Sequence, residues 1–261
     1  ARFGAVELGC VVNYLGVRNK DILNYIRGKA EPWWWTKPTL QQMSNNAGFF
    51  SISDKNLRRF SELMIQDMSS VDILASWLQD ESRFEKELSN VYKIWLEYLN
   101  PYWSENPWSR ALEGKKVLVV HPFVDSIQKQ YKKRAFLHKH PQTLPDFDLK
   151  TIKAVQGIGG VCNEGFKDWF DAFEYMKAEI NKSNYDICIL GCGAYGFPLA
   201  AHVKRMGKKA IHMGGATQML FGIKGKRWED EYGEFMNEHW IRPSKEETPI
   251  NAMKIENGCY W

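Results

Sequence analysis

The chain has 261 residues, 44% of them hydrophobic and 25% charged, with a formal net charge of +4. This length suits one large domain or two small ones, and the balance is that of a folded globular protein rather than a disordered chain. No apolar run approaches the ~20 residues of a membrane-spanning helix. The basic residues are spread along the chain, so the mild charge does not point to nucleic acid, and no basic stretch interleaved with aromatics suggests a single-strand groove. The 11 Trp, 11 Tyr and 14 Phe are consistent with large aromatic cores or with stacking surfaces for sugars or bases.

The five cysteines, Cys10, Cys162, Cys188, Cys192 and Cys259, form no C-x-x-C pair. A structural zinc site is therefore not expected, and an odd count without a framework suits a reducing cytoplasm. The chain opens at Ala1 without an initiator Met and with no signal-peptide pattern, and is read as trimmed.

In chain order, "RFGAVELGCVVNYLG" starts as a glycine-broken stretch and turns helical towards "KDILNYIRG". "EPWWWTKP" is a loop bracketed by Pro32 and Pro38. Trp33, Trp34 and Trp35 would be costly to leave in water, so they are expected to pack inward; an acceptor sugar, a dimer contact or a membrane surface are the alternatives. From Asp54 to about Leu99 apolar residues recur at three- and four-residue steps, which predicts helix and makes 54–113 a mainly helical insertion. "NPYWSENPW" is a second loop.

At Gly114 the pattern changes. "KKVLVV", "TIKAVQ", "YDICILG" and "KKAIHMG" read as strands, and "FKDWFDAFEYMKAEI", "GFPLAAHVKRMG" and "ATQMLFGIKG" as helices or helix starts. Alternation of this kind predicts βαβ units. The expectation is one α/β domain over 1–261: a Rossmann-like parallel sheet flanked by helices, a core at 114–222, and an irregular tail at 228–261 that packs back.

The stretch "ILGCGAYGFPLAAHVKRMGKKAIHMGG" holds Gly191, Gly193 and Gly196 in G-x-G-x-x-G spacing between a strand and a helix. Such a turn lets backbone N–H groups approach phosphate at a helix N-terminus. A dehydrogenase would also need an acidic residue about 20 positions on, to hold the ribose. The next strand instead ends in His212, Met213, Gly214 and Gly215. NAD is therefore not expected; a phosphate grip and a plain tight turn remain.

Ligands of open α/β sheets bind beyond the strand C-termini. There the sequence puts His121, then Gly191, Cys192, Gly193, Ala194 and Tyr195, then His212, Gly214 and Gly215, with Glu7 joining if the N-terminal segment reaches the sheet. One crevice holding Glu7, His121, the glycine turn and His212 is the expectation.

These residues resemble the bacterial glycosyltransferases of the GT-D fold. "RFGAVEL" resembles that family's "RFGDGE" opening, "LEGKKVLVVHPF" its strand after the helical region, and "FDAFEYM…YDICILGCGAYGFPLAAHVKRMGKKAIHMGG" its helix, strand, glycine turn, helix and strand. The resemblance implies a Rossmann-like sheet, a UDP-sugar donor and a role in bacterial surface polysaccharide or glycoprotein synthesis. It also implies Mn²⁺ or Mg²⁺ on an Asp-x-Glu motif. That motif falls on Ala5-Val6-Glu7, where only Glu7 supplies an oxygen ligand. Cations and backbone N–H groups could neutralise the diphosphate instead.

The candidate assignments follow. Glu7 binds metal or donor or acts as base, and His121 is a second base candidate. Gly4, Gly191, Gly193, Ala194, Tyr195, Gly196, His212, Gly214, Gly215 and Gln218 form the donor pocket. Arg2, Ser126, Gln130, Lys224 and Arg227 contact acceptor or phosphate. The basic run from Lys132 to His140 is a solvated face or a phosphate contact. The expected partners are a nucleotide-sugar donor and a saccharide or lipid-linked saccharide acceptor, with a peripheral membrane contact as a further possibility, in the cytoplasm or at the inner face of the membrane. A non-catalytic nucleotide-sugar or phospho-ligand binding module is the alternative, favoured by Ala5; an NAD(P)-dependent oxidoreductase is third.

Overall fold

The computed structural model describes residues 1–157, 159–162, 164–249, 252–254 and 256–261. Helix α1 (Ala5–Asn19) is followed by α2 (Ile22–Ile26), α3 (Lys37–Asn45) and α4 (Asp54–Met68). Two short parallel strands, β1 (Ile73–Ser76) and β2 (Tyr92–Trp95), come next. Residues 1–3 run beside β1: the Ala1 amine donates to the Ile73 carbonyl at 2.8 Å, and Ala75 N–H donates to the Ala1 carbonyl at 2.8 Å.

The core is β3 (Lys116–His121), α5 (Val124–Tyr131), β4 (Asp148–Lys153), α6 (Trp169–Lys182), β5 (Ile187–Leu190), α7 (Gly196–Arg205) and β6 (Lys209–His212). Its four strands are all parallel, in the order β4-β3-β5-β6. This is the α/β, Rossmann-like sheet that the sequence predicts. Both faces are covered, and the strands alternate between two cores. Leu118, Val120, Cys188 and Leu190 face α1, α3, α4, α6 and α7; Val117, Val119, Ile187 and Ile189 face α5, α8 (Thr217–Leu220) and Trp228, which lies on α9 (Lys226–Tyr232). A period of two with both sets apolar is what a sheet sandwiched between helices requires.

From β3 the chain crosses to β4 on one side, then returns to β5 on the other. The C-terminal ends of β3 and β5 therefore flank a topological switch point, the crevice where open α/β sheets bind ligands.

Two expectations are corrected. The 54–113 region is α-helical only to Met68; beyond it lie β1, β2 and short 3-10 turns, and residues 84–99, read as helix, hold β2 and a 3-10 turn at Leu96–Leu99. "VYKIW" is rich in β-branched and aromatic residues, and Ser89-Asn90 breaks the helical run before it, so pairing with β1 prevails over periodicity. The N-terminal stretch, read as turning helical only towards "KDILNYIRG", is α1 from Ala5 onward, so Glu7 reaches the sheet edge from a helix first turn.

The tail does pack back, and it does so through a buried carboxylate. Glu247 accepts from Asp125 N–H at 2.8 Å, from Ser126 N–H at 3.2 Å and from the Ser126 hydroxyl. It thereby caps the N-terminus of α5, whose dipole favours an anion. Trp261 Nε1–H donates to the Glu247 carbonyl at 3.0 Å. Replacing Glu247 with Gln should cost about 1.5–3 kcal/mol, the range for hydrogen bonds to a charged group. Urea unfolding checks this, and an unchanged midpoint would show that the clasp contributes nothing.

Candidate functional site

A cleft of about 490 Å³ opens at the switch point. Its wall brings together Arg2, Gly4 and Glu7 from the N-terminus, His121 after β3, Gly191, Cys192, Gly193 and Tyr195 after β5, and His212, Gly214 and Gly215 after β6. Gln218, Arg227, Tyr260 and Trp261 complete it from α8, α9 and the tail. Residues distant in sequence thus meet because parallel strands end at one edge.

Arg2 sits inside this wall. Its Nε–H and NηH₂ groups donate to the Phe3 carbonyl at 3.0 and 2.8 Å, and its guanidinium lies 4.8 Å above the Trp77 ring. Burial pulls its pKa below the usual arginine value; Glu7 opposes that shift and the like charge of Arg227 adds to it. Arg227 donates to the Tyr260 hydroxyl at 3.2 Å and stacks 5.0 Å from its ring. Two guanidinium groups therefore share one cleft.

Glu7 is the third residue of α1, the position from which a carboxylate reaches back over the N-cap. It lies against Gly4, where any Cβ would collide with it. Burial raises its pKa, while its own backbone N–H and the charge of Arg2 pull the other way. Glu7 is thus a cleft carboxylate carried on the first turn of α1.

The two histidines have opposite tautomers. His121 Nδ1 accepts from Phe123 N–H at 3.0 Å, so its proton is on Nε2. His212 Nδ1–H donates to the Arg2 carbonyl at 3.0 Å, leaving the lone pair on Nε2, against Gly196. Burial holds both near a pKa of about 3, so both are neutral at pH 7. The base role expected for His121 is therefore corrected: a neutral ring with a protonated Nε2 donates a hydrogen bond.

The glycine turn is filled largely by the protein itself. A Cβ on Gly191 would meet Thr217 Oγ1 at 2.5 Å and Gly214 O at 2.7 Å. Gly193 has φ +56°, and its missing Cβ faces Ala47 O at 2.9 Å. The His212 ring occupies the space beside Gly196. Of the turn's N–H groups, Gly191, Ala194 and Tyr195 donate to the carbonyls of Val120, Ala47 and Cys192. Those of Cys192 and Gly193 have no partner among the described residues, and both residues line the cleft. The phosphate grip expected of the whole turn narrows to these two.

Other expected contacts fall elsewhere. Ser126 is buried under Glu247, and Gln130 donates to the carbonyls of Gly222 and His239. Lys224 is half-buried outside the cleft lining, its N–H on Ile241 O at 2.7 Å. Ala194 is buried behind the turn. Gln218 lines the cleft and also stitches α8 to the tail through the Tyr260 carbonyl at 3.1 Å. Arg134, from the basic run, pairs with Asp146 at 2.7 Å.

Sequence reasoning missed Trp77, Glu97, Gln156 and Glu231, which also line the cleft. Glu97 belongs equally to an adjoining hollow of about 300 Å³ formed with Trp95, Tyr98 and Trp103. The aromatic density around residue 100 was a signal for the hollow, while Trp77, Gln156 and Glu231 carried none. Mn²⁺ and Mg²⁺ take oxygen ligands. Ala5 supplies none, and among the described residues no three His, Cys, Asp or Glu side chains converge on a metal position.

No protein-family model, curated protein or solved structure matches the chain.

The histidines make stability depend on pH. Unfolded, each titrates near 6.5; folded, near 3. Between those values the unfolded chain binds protons that the folded chain refuses, so stability falls as pH drops below 6.5. Each histidine adds a slope of up to about 1.4 kcal/mol per pH unit. His121→Asn, which retains an acceptor for Phe123 N–H, should flatten the profile by one such slope. Identical slopes of unfolding free energy against pH in both proteins would contradict the assignment.

Proposed function

We propose that the protein is a glycosyltransferase-like enzyme that takes a nucleotide sugar, with UDP as the nucleotide, and transfers the sugar to a hydroxyl of a saccharide or lipid-linked saccharide. The resemblance to bacterial GT-D enzymes suggests the class. The single observation that supports it most is the pairing of Arg2 and Arg227 in a cleft that also contains the open N–H groups of Cys192 and Gly193. A guanidinium on Arg2 desolvated by burial, with a second, exposed one on Arg227 at the same cleft, favours a ligand that brings negative charge, as a diphosphate does.

In the transfer, the acceptor oxygen forms a bond to the anomeric carbon while the bond from that carbon to the diphosphate oxygen breaks. The diphosphate leaves with the electron pair, stabilised by Arg2, Arg227 and the two N–H groups. The hydroxyl proton passes to the Glu7 carboxylate. A carboxylate pKa raised by burial is closer to working pH, which makes Glu7 a better base than a solvated glutamate. His121 serves as a hydrogen-bond donor from Nε2. The hollow of Trp95, Tyr98 and Trp103 beside Glu97 suits the acceptor, since sugar rings present an apolar face to aromatic rings. No step runs through a metal.

The second reading, a nucleotide-sugar binding module without turnover, draws on Ala5 and on the place of Glu7 in the first turn of α1. NAD(P) chemistry has less support, because the strand that would carry the ribose-binding acid ends in His212, Gly214 and Gly215.

UDP release from UDP-sugars separates enzyme from module. Glu7→Gln should lower turnover by about 10²-fold or more with the melting temperature nearly unchanged. In the native protein the rate should rise with pH through an acid limb set by Glu7, above the ordinary 4.5 of a glutamate, and the variant should lose that limb. UDP binding without release would favour the module. Full turnover by the variant would remove Glu7 from the chemistry.

A further inference from the structure

At the far end of α1 from the cleft lies a surface that the cleft chemistry does not use. Helix α2 buries none of its residues. Ile22, Leu23 and Ile26 are 48%, 68% and 74% exposed, and Trp34 beside them is 45% exposed. Tyr25 joins the two parts, its ring 5.1 Å from Trp33 and 5.2 Å from Trp34. Contiguous apolar exposure of this kind is uncommon on a soluble face and marks an interaction site.

The patch is firmly mounted. Buried Asn13 donates from Nδ2 to the Trp34 carbonyl at 3.0 Å, and its Oδ1 accepts from Thr36 N–H at 3.0 Å. Gly16 leaves room for the Glu31 and Pro32 carbonyls to press on α1. Asp21 caps α2, accepting from Asn24 N–H at 3.0 Å. A loop that packs two tryptophans against one helix and still leaves Ile26 and Trp34 in solvent is held in an outward-facing arrangement.

Charge tells what covers it. Residues 18–37 carry Arg18, Lys20, Arg27, Lys29 and Lys37 against only Asp21 and Glu31. Glu31 is already paired with Arg83 at 2.7 Å, and Asp21 faces the α2 N-terminus. Exposed aliphatic side chains, an indole and a local excess of cations are the requirements for lying in the headgroup layer of an anionic bilayer. Lys20 also faces Asp54 of α4, and Arg18 faces Tyr14 together with Glu62 of α4, which leaves Arg27, Lys29 and Lys37 as the cations nearest the apolar residues in the chain. A second protein would be expected to bring acidic groups to meet the same cations; an anionic lipid surface meets the apolar and the cationic parts together.

We propose that the α2–Trp34 face is a peripheral membrane-binding surface that inserts Ile22, Leu23, Ile26 and Trp34 among lipid headgroups, with Arg27, Lys29 and Lys37 on the anionic phosphates. The inference does not rest on the proposed sugar transfer, and vesicle binding and UDP release are read separately.

The test is co-sedimentation of the full chain with vesicles of phosphatidylcholine, with and without phosphatidylglycerol. The protein should pellet with the phosphatidylglycerol vesicles, and high salt should weaken this. The double substitution Leu23→Glu, Ile26→Glu should reduce bound protein by about tenfold or more. So should Arg27→Ser with Lys29→Ser, which touches no packed residue and guards against a folding artefact. Melting temperature and UDP release should be unchanged in both. No pelleting by the native chain, or equal pelleting by both variants, would overturn the proposal. So would a native dimer in size-exclusion chromatography that the Leu23→Glu, Ile26→Glu variant dissolves, since the face would then bind a second copy.

Discussion

The His212 ring rests where Gly196 has no side chain, and the site depends on that contact. Any larger residue at 196 would push the ring out of the gap between β6 and the start of α7. Held there, His212 gives its Nδ1–H to the Arg2 carbonyl. That one hydrogen bond ties the N-terminal segment to the sheet edge. Arg2 then reaches the cleft, and Glu7, one helical turn on, follows it. The third glycine of the apparent fingerprint therefore holds a histidine, and the histidine aligns the two charged residues that the ligand would meet.

Burial sets the chemistry of these groups by one rule applied to opposite charges. Desolvation keeps both imidazoles neutral, lifts the Glu7 carboxyl towards its protonated form and weakens the hold of Arg2 on its proton. In walls that disfavour charge in this way, an ionic contact made inside the cleft is worth more than the same contact in water. The opposed tautomers of His121 and His212 add direction: a donor at the end of β3, and at the end of β6 an acceptor turned onto the helix start.

The strands of the core were legible in the sequence because each is a short β-branched run closed by a turn, and the polar residues that follow each run locate the crevice. The parts that failed did so for separate physical reasons. Residues 84–99 have helical spacing, but a strand partner 19 positions earlier in the register decided their state, and no local pattern contains that partner. Ser126 and Gln130 have the right chemistry and the right distance from a strand end. Their hydrogen bonds were already taken by Glu247 and by the carbonyls of Gly222 and His239, which lie about a hundred residues away. G-x-G-x-x-G spacing reports that three side chains are absent, not what fills the space; here Thr217, Ala47 and His212 fill it. Trp77 and Glu97 carry no motif at all. They reach the cleft only because residues 1–3 and β2 both run beside β1.

Helix α1 joins the two surfaces that matter most. Its first turn carries Glu7 into the cleft, and its last turns carry Asn13 and Gly16, which seat the tryptophan loop. Fifteen residues at about 1.5 Å each separate the ends by about 22 Å. The helix is rigid on that scale, with Leu8, Val11 and Val12 packed into the main core. A load on the α2 face therefore reaches the Glu7 end through packed side chains and not through a flexible linker. If that face lies on a bilayer, the distance from lipid to cleft is fixed by the fold. If the cleft also transfers sugar to a lipid-linked acceptor as proposed, that acceptor would need a spacer matched to that distance, so that the length of α1 would act as a selector of acceptors.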